Sequence, residues 1–390
     1  QSGEQLEIGP EGLKAVGKAL TDQASPKQQI RRGAVIRVVQ GSDDQWAVRQ
    51  LPEVEGAFVS MDPRTGLIRA MVGGFDFERN KFNHVTQAWR QPGSSFKPFI
   101  YSAALEKGFT PATVVNDAPL FYNAGSTGSR AWEPKNYDGK FEGPMTLRRA
   151  LAKSKNMVSI RVLESVGTHY AQDWLTNFGF DAAKHLPYLP MALGAGSVTP
   201  LQMADGYAVF ANGGYRVNPT LVLKVTDGRG HLLAQYRPNV LDESMRGINA
   251  RNAFVMNSLL QEVARTGTAA RAQATLKRPD LYGKTGTTND SMDAWFAGYH
   301  PSLVAVVWIG YDQPRKLGDR ETGGGLALPV WIDYMATALR NTPVTELSPP
   351  EGVVNIGGEW FYEEYTRSSG VRDVGLQSPD AEEGAPSAPS

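Results

Sequence analysis

Apolar positions fall into short runs near both ends of the chain and take up a helical spacing through its middle. In residues 1–53, "EGLKAVGKAL" has helical spacing, and "AVIRVV", "GSDD" and "QWAVRQL" read as two strands about a turn. Two or three short elements bury little apolar surface, so a partial β-rich module or linker is expected there. The main body opens on "GAFVSMDPRTGLIRAMVGG", where apolar runs flank the turn signal Asp62 to Gly66 and predict a hairpin. A helix is expected from about Ser94 to Glu106, closed by Gly108.

From about 144 to 265 the pattern is mainly helical, as in "MTLRRALAKS", "MVSIRVLESVG" and "RNAFVMNSLLQEVA". "RTGTAARA" reads as a helix end entering a loop. Strand patterns return in "YGKTGTT", "DAWFAGYH" and "LVAVVWIGYD", and "LPVWIDYMATALRN" closes with amphipathic helical spacing. Strands at both ends with helices between predict an α+β fold: one antiparallel sheet of about five strands, packed by helices on both faces. The expected domains are 1–53, a main domain over 54–345, and a C-terminal extension over 346–390. Its end, from about Gln377, is rich in proline, serine, glycine and acid and is expected to be disordered.

The chain has 390 residues, 41% of them apolar and 21% charged, ordinary proportions for a protein with a substantial core. Lysine plus arginine balance aspartate plus glutamate at 40 each, which gives no reason to expect a nucleic-acid partner. The lack of cysteine excludes disulfides, thiolate metal sites and thiol nucleophiles. The five histidines show no metal-ligand spacing, so neither metal nor cofactor is expected. "ETGGGLALP" lacks the ending of a phosphate loop and reads as a glycine-rich turn. No apolar run approaches the roughly 18 residues that span a bilayer. The opening "QSGEQLEIGP" has no methionine, so an excised or mature piece with its membrane anchor upstream is expected.

Three polar clusters carry the candidate chemistry. In "QPGSSFKPF", a helix starting at Ser94 brings Lys97 about 60° round the axis, onto the same face. A helix cap is the bland alternative for Ser94. Ser95, a rival nucleophile, lies two positions from Lys97 and would face away from it. The second cluster, Ser154-Lys155-Asn156, lies between helical segments, where serine and asparagine also serve local hydrogen bonding. The third, Lys284-Thr285-Gly286-Thr287, lies on a strand; its glycine signals a close approach, and its cation and hydroxyls suit a carboxylate. A polar edge strand entering a turn fits it too.

Taken jointly and in this order, the clusters match the serine–lysine acyl-transfer signature S-x-x-K, S-x-N, K-T-G. Over about 54–345 the chain resembles the transpeptidase domain of class A, type 1A-like penicillin-binding proteins, within the serine penicillin-binding and β-lactamase superfamily. "VGGFDFERNKFNHVTQAWRQPGSSFKPFIYSAALEKG", "SVTPLQMADGYAVFANGGY" and "GKTGTTNDSMDAWFAGYHP" carry the resemblance beyond the clusters. The first residues resemble the end of the oligonucleotide/oligosaccharide-type barrel in such proteins. No stretch resembles their glycosyltransferase.

The resemblance implies acyl transfer from peptidoglycan stem peptides ending in D-alanyl-D-alanine, and covalent capture of β-lactams on Ser94. Ser94 is the expected nucleophile and Lys97 its base. An ordinary lysine pKa of about 10.4 would have to fall by roughly 3 units, through burial or a neighbouring cation such as Lys284. Ser154 is implied as a proton relay and Asn156 as a partner of substrate backbone and of Lys97. Thr285 and Thr287, flanking Gly286, are implied to bind the terminal carboxylate. The backbone N–H groups of Ser94 and Thr287 would form the oxyanion hole. In "RAWEPKNYDG", Trp132, Asn136 and Tyr137 are candidates for lining a stem-peptide groove, or are packed loop residues; Trp295 and Phe296 are expected in the core. A periplasmic location, other cell-wall proteins as partners, and roles in cell shape and antibiotic resistance also follow from the resemblance. A D,D-carboxypeptidase, a serine β-lactamase and a non-enzymatic β-lactam sensor are the alternatives.

Overall fold

The structure is a computed structural model that describes residues 3–124, 130–238, 240–366 and 369–376. The chain divides into two compact units, Gln1–Glu53 and Val54–Ser390. The first holds α1 (Pro10–Leu13), a 3-10 turn after it, and the antiparallel pair β1 (Val38–Gln40) and β2 (Trp46–Val48). Gly12 packs onto β2 so closely that a Cβ would lie 2.1 Å from the Trp46 carbonyl oxygen. Val16 and Val48 are the buried hydrophobic residues among those described in this unit, a small core for its length.

The second unit is built on a five-stranded antiparallel sheet ordered β4-β3-β11-β10-β9. Its strands are β3 (Glu55–Met61), β4 (Ile68–Val72), β9 (Tyr282–Thr287), β10 (Asp293–His300) and β11 (Leu303–Gly310). The β3–β4 turn forms as expected: Asp62 accepts from Gly66 N at 2.9 Å, and its carboxylate accepts from Arg64 N. The inner strand β10 is buried along its whole length, so neighbouring residues feed opposite faces. Phe296 meets Trp331 of α9 (Leu328–Ala338) on one face. On the other, Tyr299 meets Tyr207 of α6 (Pro200–Ala211) and donates to Asn257 of α7 (Ala250–Arg265). Helices thus cover both faces, and Trp295 and Phe296 lie fully in the core.

The helix at Ser94 differs from the expected one. Residues Gly93–Phe96 form a 3-10 turn, and the α-helix, α2 (Lys97–Glu106), begins at Lys97. Pro98, in the first helical turn, costs no hydrogen bond there because those N–H groups lack helical partners. Every residue of α2 from Lys97 to Leu105 is buried. Phe99 anchors it among Phe96, Phe178, Phe180, Tyr207 and Phe210, each buried aromatic contributing about 1.5–3 kcal/mol. This packing fixes the turn before it.

Beyond the sheet, α3 (Leu147–Lys153), α4 (Asn156–Val166) and α5 (Thr168–Leu175) follow a small pair, β5 (Val114–Asp117) and β6 (Gly143–Thr146). The mainly helical middle also holds an exposed hairpin, β7 (Lys224–Thr226) and β8 (Leu232–Gln235). "RTGTAARA" is the end of α7 entering a short loop, 266–269, as expected, and a further helix, α8 (Ala270–Leu276), follows it. In the C-terminal extension, the hairpin β12 (Val353–Ile356) and β13 (Glu359–Tyr362) is held by Arg148 on Glu359 at 2.6 Å. β14 (Asp373–Val374) pairs in parallel with β5. The tail expected to be disordered from about 377 lies outside the described residues.

Candidate active site

Backbone packing brings the first and third clusters together. Gly93 has a φ of +56°, a conformation open to glycine, and a Cβ there would lie 2.7 Å from the Thr287 carbonyl oxygen. A Cβ on Gly286 would lie 2.5 Å from the Pro92 carbonyl oxygen and 2.8 Å from Ser95 Oγ. The glycine inside β9 therefore marks where the Ser94 turn rests on the strand. On the far side Gly323 presses on β9, its missing Cβ 2.3 Å from the Gly286 carbonyl oxygen. The stretch "ETGGGLALP" is thus a π-helical turn, Gly323–Ala327, entering α9 rather than a loose turn.

The second cluster is the joint between two helices. Ser154 ends α3 with φ 58° and ψ 41°, left-handed for a residue with a Cβ, at a cost of about 1–2 kcal/mol. Lys155 is extended, and α4 starts at Asn156. The break turns Ser154 and Asn156 toward α2 and β9. Lys97 Nζ donates to Ser154 O at 2.8 Å, Ser154 Oγ at 3.2 Å and Asn156 Oδ1 at 2.7 Å. Lys284 Nζ donates to Ser154 Oγ at 2.8 Å and to Thr285 O at 3.1 Å. One hydroxyl therefore lies between two amines, both fully buried.

Burial holds the Lys97 amine well below the usual lysine range; the charge of Lys284 acts the same way, and Asp117 opposes. Burial brings Lys284 down to about 7. Burial thus lowers both sequence-distant lysines, and the charge of Lys284 lowers Lys97 further.

Above them opens a cavity of about 1190 Å³ lined by Ser94, Ser154, Asn156, Thr285 and Thr287. Ser94 Oγ has no hydrogen-bond partner among the described residues, while Ser95 is buried with its hydroxyl donating to Pro92 O at 2.6 Å. Thr287 Oγ1 accepts from Gly323 N at 3.0 Å, and Thr285 Oγ1 lies 2.7 Å from Thr268 Oγ1. Thr268 was not singled out by the sequence; "RTGTAA" gives no sign that it reaches β9.

Trp132, Asn136 and Tyr137 line the cavity as well. Trp132 stacks on Tyr122 with ring centroids 6.1 Å apart, and Tyr137 is 68% exposed. Of its two readings, groove contact or packed loop residue, Asn136 fits the second, although it borders the cavity. It is buried, its amide donating to Asp117 Oδ1 and Lys140 O, both at 2.7 Å. Its oxygen accepts from Asn156 N at 2.8 Å and Met157 N at 3.3 Å. All four hydrogen-bonding positions are filled, so Asn136 caps α4 and offers a ligand no free polar group. Behind it Lys155, also buried, faces Asp117 at 3.5 Å and Asp138 and Glu142 at 3.0 Å each. Burial opposes its charge, but bonds to Asp138 and Glu142 outweigh that and raise its pKa. Asp117 and Lys155 carried no sequence signal of this arrangement.

Comparison with known proteins agrees with this geometry. Residues 56–335 match the penicillin binding protein transpeptidase domain, and residues 1–54 match the penicillin-binding protein OB-like domain. Penicillin-binding protein 1A of Neisseria flavescens is 48% identical over 369 residues, covering 94% of this chain and 46% of the relative. That of Pseudomonas aeruginosa is 43% identical over 377 residues, covering 85% and 46%. The chain thus spans about half the length of the curated relatives it matches. Penicillin-binding protein 1A from Haemophilus influenzae superposes with a TM-score of 0.85 at 34% identity, covering 93% of this chain and 60% of that one. The PonA1 protein from Mycobacterium tuberculosis, solved in complex with penicillin V, gives 0.63 at 26% identity, covering 90% and 88%. With most of its length matched and the three clusters meeting at one cavity, the chain belongs to the penicillin-binding protein transpeptidase-domain family.

Proposed function

We propose that this domain is a serine D,D-transpeptidase that cross-links peptidoglycan stem peptides and is acylated by β-lactams. The observation that carries the reading is Ser154 Oγ within hydrogen-bond distance of two buried amines, Lys97 and Lys284, at the floor of the cavity that Ser94 lines.

A neutral Lys97 keeps two hydrogens for Ser154 O and Asn156 Oδ1 and has a lone pair free to act as base. It takes the Ser94 hydroxyl proton as Ser94 Oγ bonds to the carbonyl carbon of the penultimate D-alanine. The oxyanion is held by the backbone N–H groups of Ser94 and Thr287, each such donor worth about 2.7–4 kcal/mol in the barrier. The carbon–nitrogen bond then breaks, and the proton passes from Lys97 through Ser154 to the departing D-alanine amine. The amine of a second stem peptide attacks the ester, its proton returns along the same path, and Ser94 is restored. Lys284, Thr285 and Thr287 attract the terminal carboxylate of the donor peptide. Asn156 meets its backbone, and Trp132 and Tyr137 form the cavity wall.

The natural setting of this reading is the periplasmic face of a bacterial inner membrane. No helix among the described residues is long and apolar enough to cross a membrane. The test is intact mass after a penicillin: one adduct is expected, mapping to Ser94 and lost in Ser94→Ala. Release of D-alanine with a cross-linked product from a muropeptide pair is expected as well. An adduct that survives Ser94→Ala would overturn the reading, and hydrolysis of the adduct within seconds would point to a β-lactamase.

A further inference from the structure

The SxN asparagine and the lysine it binds are tied by a continuous hydrogen-bonded chain to a carboxylate outside the three clusters. Asp117 ends β5 and is fully buried. Its Oδ1 accepts from Asn136 Nδ2 at 2.7 Å; Asn136 Oδ1 accepts from Asn156 N at 2.8 Å; Asn156 Oδ1 accepts from Lys97 Nζ at 2.7 Å. Asn156 is further fixed by donating its own amide to Lys135 O at 2.8 Å. Every link is short, and Asn136 has no spare donor or acceptor with which to slip. We infer that Asp117, acting through Asn136, is the positioning residue that aims Asn156 at Lys97 and sets how readily Lys97 gives up its proton.

This deepens the transpeptidase reading and rests on it for its catalytic meaning. The neighbours of the two charges are defined. Lys97 faces Lys284 on β9 and feels Asp117 from β5. Asp117 faces Lys155 at the α3–α4 joint, which it shares with Asp138 and Glu142, and it also acts on Tyr101 of α2 and Arg161 of α4. Lys155 faces all three carboxylates, and Asp117 is the one of them whose charge acts on Lys97. Lys284 and Asp117 therefore pull the proton affinity of one amine in opposite directions. The carboxylate limits how far Lys97 falls, and the asparagine bridge holds the amine where Ser154 meets it.

The test uses the whole chain and the isosteric Asp117→Asn, with Asn136→Ala as a second variant that breaks the middle link. In lysine-labelled protein, with the signal assigned by Lys97→Met, NMR titration reads where the Lys97 amine loses its proton. Both variants remove support for the ammonium, so that midpoint moves to lower pH, by about half to one unit in Asp117→Asn. The acid limb of penicillin acylation follows it downward, and Asn136→Ala also slows acylation about tenfold or more at its plateau. A merely structural role lowers the melting temperature and leaves the midpoint where it was. An unmoved midpoint in either folded variant overturns the inference. The NMR readout needs no acyl transfer, so failure of the wild type to react with penicillin would sink the functional reading and leave this one to be decided by the titration.

Discussion

Lys284 donates to Ser154 Oγ at 2.8 Å across 130 positions of sequence. The same hydroxyl receives Lys97 at 3.2 Å, so one serine of a helix joint couples a strand lysine to a helix lysine. Removing the Lys284 amine therefore changes the proton affinity of Lys97.

Lys284→Met takes a positive charge away from Lys97. Since that charge lowers the Lys97 pKa, its loss raises it, and less neutral amine is present at pH 7. The acid limb of penicillin acylation is expected to move upward by about one pH unit, with the rate at pH 7 falling about tenfold or more. Acylation rates from pH 5 to 10, relative to wild type, give the answer. The direction is opposite to that expected for Asp117→Asn.

Ser95 is held by its own hydrogen bond, which speaks against it as the nucleophile. Its hydroxyl is buried and committed to Pro92 O, whereas Ser94 Oγ is unpartnered among the described residues at the cavity. Ser95→Ala should keep the penicillin adduct and lose about 1 kcal/mol of stability. Intact mass and urea denaturation measure the two effects separately.

Gly286→Ala places a methyl group 2.5 Å from the Pro92 carbonyl oxygen, where backbone must give way. The Ser94 turn would lift off β9 and the oxyanion donors would separate. A stability loss of about 1–3 kcal/mol and acylation slowed by at least about tenfold are expected. A melting curve and an acylation time course test this; a variant with wild-type kinetics would show that the contact is not needed.

Asp205 of α6 is a stability switch away from the cavity. Burial raises its carboxyl to about 7, Arg216 at 4.0 Å opposes only in part, and Oδ1 has no partner among the described residues. A folded-state pKa above the unfolded value of about 3.9 favours the native state fully below pH 4, and that contribution is lost as pH rises through about 7. Asp205→Asn should therefore gain about 1–3 kcal/mol over wild type at pH 8 and little at pH 4. Denaturant melts at the two pH values check the sign.

The reading of the sequence succeeds where the signal is local. The Asp62–Gly66 turn and the strands β9, β10 and β11 follow from turn chemistry and apolar runs, because each element's own residues decide them. The hairpin β7–β8 was hidden among helices because its residues are exposed on both faces, so no buried alternation marks it. Asn136 stays between two readings in the sequence, groove or packed loop, for a different reason. A loop asparagine looks the same whether it faces a ligand or caps a helix, and its four partners, Asp117, Lys140, Asn156 and Met157, become visible only when β5 and α4 are packed together.

By itself the chain order determined which side chains are the candidates for the chemistry, since a serine three places before a lysine, an S-x-N and a K-T-G are legible as letters. Only the tertiary structure decided their protonation and reach. Desolvation and Coulomb forces act through space, so the lowered proton affinity of Lys97 comes first from its burial and then from Lys284, with Asp117 opposing, and none of these follows from its neighbours in sequence. The touching backbones at Gly93 and Thr287 are likewise a property of packing, and glycine's presence at position 93 acquires its meaning only there.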